Sequence, residues 1–164
     1  MKSSIKKDII FISIKILAFA LICILTFTCV LSFNRVSGNY NYPAVKDGDL
    51  LVGYRLGRNY DRGDVVLYTI DGEKSVGRIV GLPGDVIVIN QSGNLIVNGT
   101  NAGLNDLFPT YPVGNLEYPY RVPEDGVFIL GDNRAHCTDS RSFGAVKLKA
   151  VKAKAISILR RRDL

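Results

Sequence analysis

The run from Ile9 to Phe33 constrains this chain more than any other feature. Its 25 residues carry one charge, Lys15, and the last 18, Ile16 to Phe33, carry none. As a helix rising 1.5 Å per residue, the run would reach about 37 Å, against about 30 Å of bilayer hydrocarbon. Lys15 lies near one end, where its four-carbon stem reaches the interface. A cleaved secretion signal has a shorter apolar region and a small-x-small cleavage site. The sequence Leu31-Ser32-Phe33-Asn34 offers no such site. A helix packed on a soluble core would show a polar stripe, which this run lacks. The run therefore predicts an uncleaved transmembrane helix over residues 9–33. Lys2, Lys6 and Lys7 precede it and place residues 1–8 on the cytoplasmic side. Residues 34–164 would then lie outside the cell, held to the membrane by a single pass.

The 131 residues after the span are enough to bury a core of their own. Cys23 and Cys29 fall inside the apolar run, and Cys137 stands alone beyond it. No disulfide within the outer domain is possible, and no spacing suits a metal, so neither metal nor cofactor is expected. Short apolar runs recur between glycine-rich turns: Leu50–Tyr54, Val65–Tyr68, Val76–Val80, Val86–Ile89, Leu95–Val97, Val127–Leu130 and Val151–Leu159. Such runs predict a mainly β domain built from hairpins. Asn98-Gly99 reads as a hairpin turn. The stretch 100–119 carries Pro109, Pro112 and Pro119 with Tyr111 and Tyr118, and reads as an inserted loop. The formal charge of +6 owes much to the C-terminal Lys147, Lys149, Lys152, Lys154, Arg160, Arg161 and Arg162. Lys152 and Lys154 alternate with small apolar residues, as solvated strand positions do. No interleaved aromatic and basic motif suggests nucleic acid, and no glycine loop has the form that cradles nucleotide phosphates.

Four further segments stand out by order and spacing. They are Val36–Asp49, Arg62–Tyr68, Gly77-Arg78-Ile79-Val80-Gly81-Leu82-Pro83-Gly84-Asp85, and Gly131-Asp132-Asn133-Arg134 running on to Gly144. Behind an N-terminal anchor, they closely resemble the boxes of the bacterial type I signal peptidases, the S26 peptidases, along nearly the whole chain. The resemblance implies a signal-peptidase-like β domain on one membrane helix. It also implies a Ser–Lys dyad, with the nucleophilic Ser three residues before the box proline and the general-base Lys directly before the Arg78 run. A serine hydroxyl attacks a peptide only when a base takes its proton, here a desolvated neutral lysine.

This chain departs from that pattern at both positions. Tyr40 stands three residues before Pro43, and Gly77 stands directly before Arg78. A phenol with an ordinary pKa near 10 and a bare hydrogen replace nucleophile and base. Tyr40 is expected to occupy the cleft rather than attack. Ser37 and Lys74, each three residues upstream, are the weak rescue candidates. In extended segments an odd shift turns a side chain to the opposite face and moves it about 10 Å. Cys137 takes the place of a serine in the last box. A Cys137–His136 pair is disfavoured because sequence neighbours usually point apart. The residues retained, Pro43, Arg78, Asp132, Asn133, Arg134, Asp139 and Arg141, imply by resemblance an Arg78–Asp132 pair and an Asp139–Arg141 pair that shape the cleft.

The loss of both dyad members with the boxes kept resembles the signal-peptidase-like pilus assembly proteins of Gram-positive bacteria. That resemblance implies a non-catalytic chaperone in pilin polymerisation, with an extended peptide or pilin subunit and a sortase as partners. The alternative is an active type I signal peptidase, a serine endopeptidase with an atypical dyad.

Overall fold

The computed structural model describes residues 2–103 and 108–160. Arg161 and Arg162 of the basic tail, positions 104–107 of the expected insertion, and Met1 lie outside the described residues. The chain opens with α1, Lys2–Leu25, continued by a π-helical turn over Thr26–Val30. Within it, Lys6–Val30 is long and apolar enough to cross a membrane, with a mean hydropathy of 2.7 in its most apolar window and none of that window buried. The expected span of 9–33 needs correcting at both ends. Helical structure begins earlier, and Leu31–Phe33 belong to a strand, β1 (Leu31–Arg35). Apolarity alone does not separate helix from strand. Thr26 and Thr28 donate hydroxyl hydrogen bonds back to the Ile22 and Ile24 carbonyls at 2.9 and 2.7 Å, and this back-bonding distorts a helix. Beyond it, Ser32 turns inward, 2% exposed, while Phe33 turns out, the alternation of a strand.

Ten more strands follow: β2 (Leu50–Tyr54), β3 (Val65–Ile70), β4 (Glu73–Gly81), β5 (Val86–Ile89), β6 (Leu95–Val97), β7 (Thr100–Asn101), β8 (Tyr120–Arg121), β9 (Gly126–Leu130), β10 (Val146–Lys147) and β11 (Val151–Leu159). A four-residue helix, α2 (Ser140–Phe143), lies between β9 and β10. The domain is mainly β, as expected. The large sheet runs β1-β2-β11-β3-β4-β9-β10, and a smaller one runs β7-β6-β5-β8. Two tight hairpins rest on Asx-Gly pairs. Asp71-Gly72 joins β3 to β4 with φ of 49° and 84°, and Asn98-Gly99 joins β6 to β7 with φ of 50° and 80°. Left-handed conformation at both central residues matches the twist of the flanking strands. In the stretch 100–119, only Thr100 and Asn101 pair as a strand among the described residues.

The core has three parts. Val80, Ile87, Leu95, Phe128 and Leu130 fill the space against the small sheet. Val66, Tyr68, Ile79, Val127 and Ile129 pack on one face of the large sheet, and Val36, Val45 and Leu51 on the other. The β3–β4 hairpin thus stands between two apolar clusters, and its side chains divide between them by period two.

Candidate functional site

A groove forms where the pairing of β4 changes. On one side β4 pairs with β3 over its length, Val65 facing Arg78 through to Ile70 facing Glu73. On the other, β9 pairs with Arg78–Gly81 only. Among the described residues no strand lies beside that edge of Glu73–Gly77. The Val36–Val45 segment approaches there as a series of turns. Asn41, 3% exposed, holds it in place: its amide donates to the Val76 carbonyl at 2.7 Å, and its oxygen accepts from the Asp132 N–H at 3.4 Å. The Asn133 N–H donates to the Tyr40 carbonyl at 3.0 Å. A Cβ at Gly131 would lie 2.7 Å from the Cys137 sulfur and 2.8 Å from the Tyr40 carbonyl oxygen, so only glycine lets these segments meet.

Two cavities flank this edge. One, of about 340 Å³, is lined by Asn34, Arg35, Ser37, Tyr40, Asn41 and the Gly72–Val76 stretch. The other, of about 250 Å³, is lined among others by Tyr40, Tyr68, Ile70, Ser75, Cys137 and Phe143. Tyr40 borders both. It is 51% exposed, and its ring folds over Gly38, where a Cβ would come within 2.7 Å of Cε2. Tyr40 therefore lines the cleft on both sides. The Gly77 position is filled from elsewhere. A Cβ there would meet Ile129 Cγ2 at 2.5 Å and the Tyr68 ring at 3.4 Å. Burial raises the Tyr68 phenol pKa, which a hydrogen bond with Ser75 partly offsets.

The weak rescue candidates meet in the same cavity. Ser37 and Tyr40 both line it with Lys74, because Val36–Val45 turns rather than extends. The opposite-face argument therefore does not hold for that segment. Lys74 Nζ donates to the Asn34 side-chain oxygen at 3.5 Å, and among the described residues no hydrogen bond joins it to Ser37.

Below the groove the last box is a charged lattice. Arg78 grips Asp132 with two bonds, Nε to Oδ1 at 2.8 Å and Nη2 to Oδ2 at 2.6 Å. Asp139 and Arg141 are each 1% exposed and also pair twice, at 2.8 and 2.9 Å. Asp139 caps α2 by accepting from the Arg141 N–H, and accepts from the Gly131 N–H at 3.1 Å. Arg141 continues to the Arg134 carbonyl at 2.7 Å, and Arg134 donates to the Thr110 hydroxyl. A buried pair of this kind fixes loop geometry, because losing one partner strands a charge. The Cys137 thiol donates to Asp139 Oδ2 at 3.0 Å. Burial first, and the Asp139 charge second, push its pKa to about 12, so it is a neutral wall and not a thiolate. His136 is exposed, and its N–H donates to the Asn133 carbonyl. Pro43 lies in the turn between Tyr40 and Val45.

Sequence reading missed two residues of this site. Asn41 is a polar residue beside Tyr40 whose burial only the tertiary contacts reveal. Tyr68 ends a predicted strand, and its alternation with Val66 and Ile70 signals a shared inner face without saying what lies opposite. Among the described residues no group of His, Cys, Asp or Glu could hold a metal.

Comparison with known proteins places these observations in context. The family model described as signal peptidase, peptidase S26, matches residues 9–159. Signal peptidase I of Bacillus caldolyticus is 30% identical over 156 residues, covering 83% of this chain and 84% of that protein. The "Probable signal peptidase I-2" of Synechocystis sp. is 36% identical over 118 residues, 63% of this chain. The match spans about half of that relative, 51%. A signal peptidase I from Enterococcus faecalis, solved by crystallography, aligns with a TM-score of 0.46 at 26% identity over 58% of this chain and 96% of that one.

Proposed function

The chain belongs to the signal peptidase S26 family, and from that premise we propose that it binds extended peptides in the groove without cutting them. The observation that carries this reading is the pair Tyr40 and Gly77 at the two positions where the family resemblance calls for nucleophile and base. The groove's β4 edge at Glu73–Ser75, beyond the Val76 carbonyl that Asn41 takes, offers backbone N–H and C=O groups to an added strand, and strand addition needs no catalytic pair. The retained Arg78–Asp132 and Asp139–Arg141 pairs support the groove's shape. The apolar helix anchors the domain in the cell membrane as a single pass, with its N-terminal end cytoplasmic and the β domain, from β1 at Leu31, extracellular. In a Gram-positive cell the resemblance to pilus assembly factors makes the bound peptide a pilin segment, presented to a sortase during polymerisation.

The test is pilus polymerisation in a deletion strain complemented with this gene. The reading expects ladders of high-mass pilin to disappear on deletion and return with the wild-type gene. Normal polymerisation without the gene contradicts the pilin role.

A second reading is favoured by the convergence of Ser37 and Lys74 on one cavity and by relatives named as signal peptidase I. It makes the chain an active endopeptidase with an atypical dyad. Preprotein cleavage that Ser37→Ala abolishes would establish it.

A further inference from the structure

On β3 the two cavities lie on opposite faces, while Glu73–Val76 of β4 borders both. Leu67 turns toward the larger and Tyr68 and Ile70 toward the smaller. The core beneath divides the same way. Val76 packs with Val36 and Leu51, and Tyr68 with Ile79 and Ile129. A strand added to the free edge at Glu73–Ser75 continues the pleat, so its successive side chains point to opposite faces. Alternate residues of such a peptide enter the two cavities in turn.

The cavities differ in chemistry. Glu73, Lys74 and Ser75 border both, and the larger adds Asn34, Arg35, Ser37 and Asn41 beside Val36 and Leu67. The smaller is walled by Tyr40, Tyr68, Ile70 and Phe143, with charged groups at Asp71, Glu73 and Lys74 toward the hairpin turn. Behind it Gly77 contributes no side chain and no amine. Asp139 is neutralised by Arg141, and the Cys137 hydrogen stays on its sulfur. We propose that this smaller cavity is a selective subsite that takes a bulky apolar side chain, aromatic or branched aliphatic, from an extended peptide. The inference rests on the peptide-binding reading of the groove and adds what the groove prefers. An alanine methyl would leave most of about 250 Å³ to water, and the apolar walls without a solute to pack on. A phenylalanine or leucine side chain meets the Tyr68, Ile70 and Phe143 carbons directly.

The experiment measures fluorescence anisotropy with the full-length protein in lipid nanodiscs. Labelled octapeptides share one Ser–Thr sequence and differ only at a central Ala, Leu or Phe. The Leu and Phe peptides are expected to bind roughly tenfold or more tightly than the Ala peptide. Thr138→Trp changes an exposed residue on the rim of the smaller cavity, and is expected to bring the Phe and Leu peptides down to the Ala affinity. Equal affinities, or tightest binding by Ala, overturn the inference and leave peptide binding standing. A preference that survives Thr138→Trp overturns its assignment to this cavity. If none of the peptides binds, the peptide-binding reading falls and this inference falls with it.

Discussion

Gly77 sits where its neighbours leave no room for a side chain. Its β4 position is roofed by Ile129, which is fully buried, and by the Tyr68 ring. A Cβ within 2.5 Å of a packed methyl forces the core apart. Gly77→Ala should therefore destabilise the domain by about 1–3 kcal/mol, the usual cost of overpacking. A shift of the denaturation midpoint checks this, and an unchanged midpoint contradicts the packing described. Cys137 is the other residue whose chemistry is set by its neighbours. With Cys23 and Cys29 replaced by Ser, iodoacetamide at pH 8 should alkylate Cys137 two to three orders of magnitude more slowly than a free thiol, since a pKa of about 12 leaves about a thousandfold less thiolate. Alkylation at the free-thiol rate would show that Asp139 and burial do not hold the proton. That Tyr40 and Gly77 stand where the family resemblance calls for nucleophile and base is a reading from box spacing alone. The close packing over Gly77 was not legible, because Tyr68 and Ile129 reach it from two other strands.

At the scale of elements, the β4–β5 connection is tied by Asp85. Its carboxylate accepts from Arg62 at 2.7 and 3.1 Å, from the Leu82 N–H at 2.6 Å and from Asn98 at 2.8 Å. Burial acts to raise the Asp85 pKa, but these donors together outweigh it and hold the carboxyl below its ordinary value. A carboxyl depressed in the folded state stabilises fully above its unfolded pKa of about 4 and loses that contribution as pH falls through the folded value. Stability should thus drop below about pH 4, and Asp85→Asn should flatten that part of the profile. An identical acid slope in the variant would contradict the assignment. Arg62 is 44% exposed, so salt screens its share. The seven strands expected from apolar runs all form, because short apolar runs closed off by turn residues favour strands whether they alternate or, like β9, are buried throughout. β1 was hidden inside the apolar run, where nothing in composition marks the change from helix to strand. β7, β8 and β10 have two residues each, too short to carry a period.

At the scale of the whole molecule, the sheet order explains how a groove arises at all. β11 lies between β2 and β3, and Asn41 ties the Val36–Val45 turns to β4. β9 is too short to cover β4 to its end. Neither fact is local, and no run of residues announces it; the sequence carries the strands and the boxes but not their pairing. The result is a family scaffold on an apolar helix with an open strand edge, two cavities and a tyrosine that lines both. The most direct test is mass spectrometry of a peptide incubated for hours with the full-length protein in nanodiscs, under conditions where saturable binding is measured in parallel. The account predicts that the bound peptide is recovered intact. Two fragments from cleavage at one bond, lost with Ser37→Ala, would contradict it.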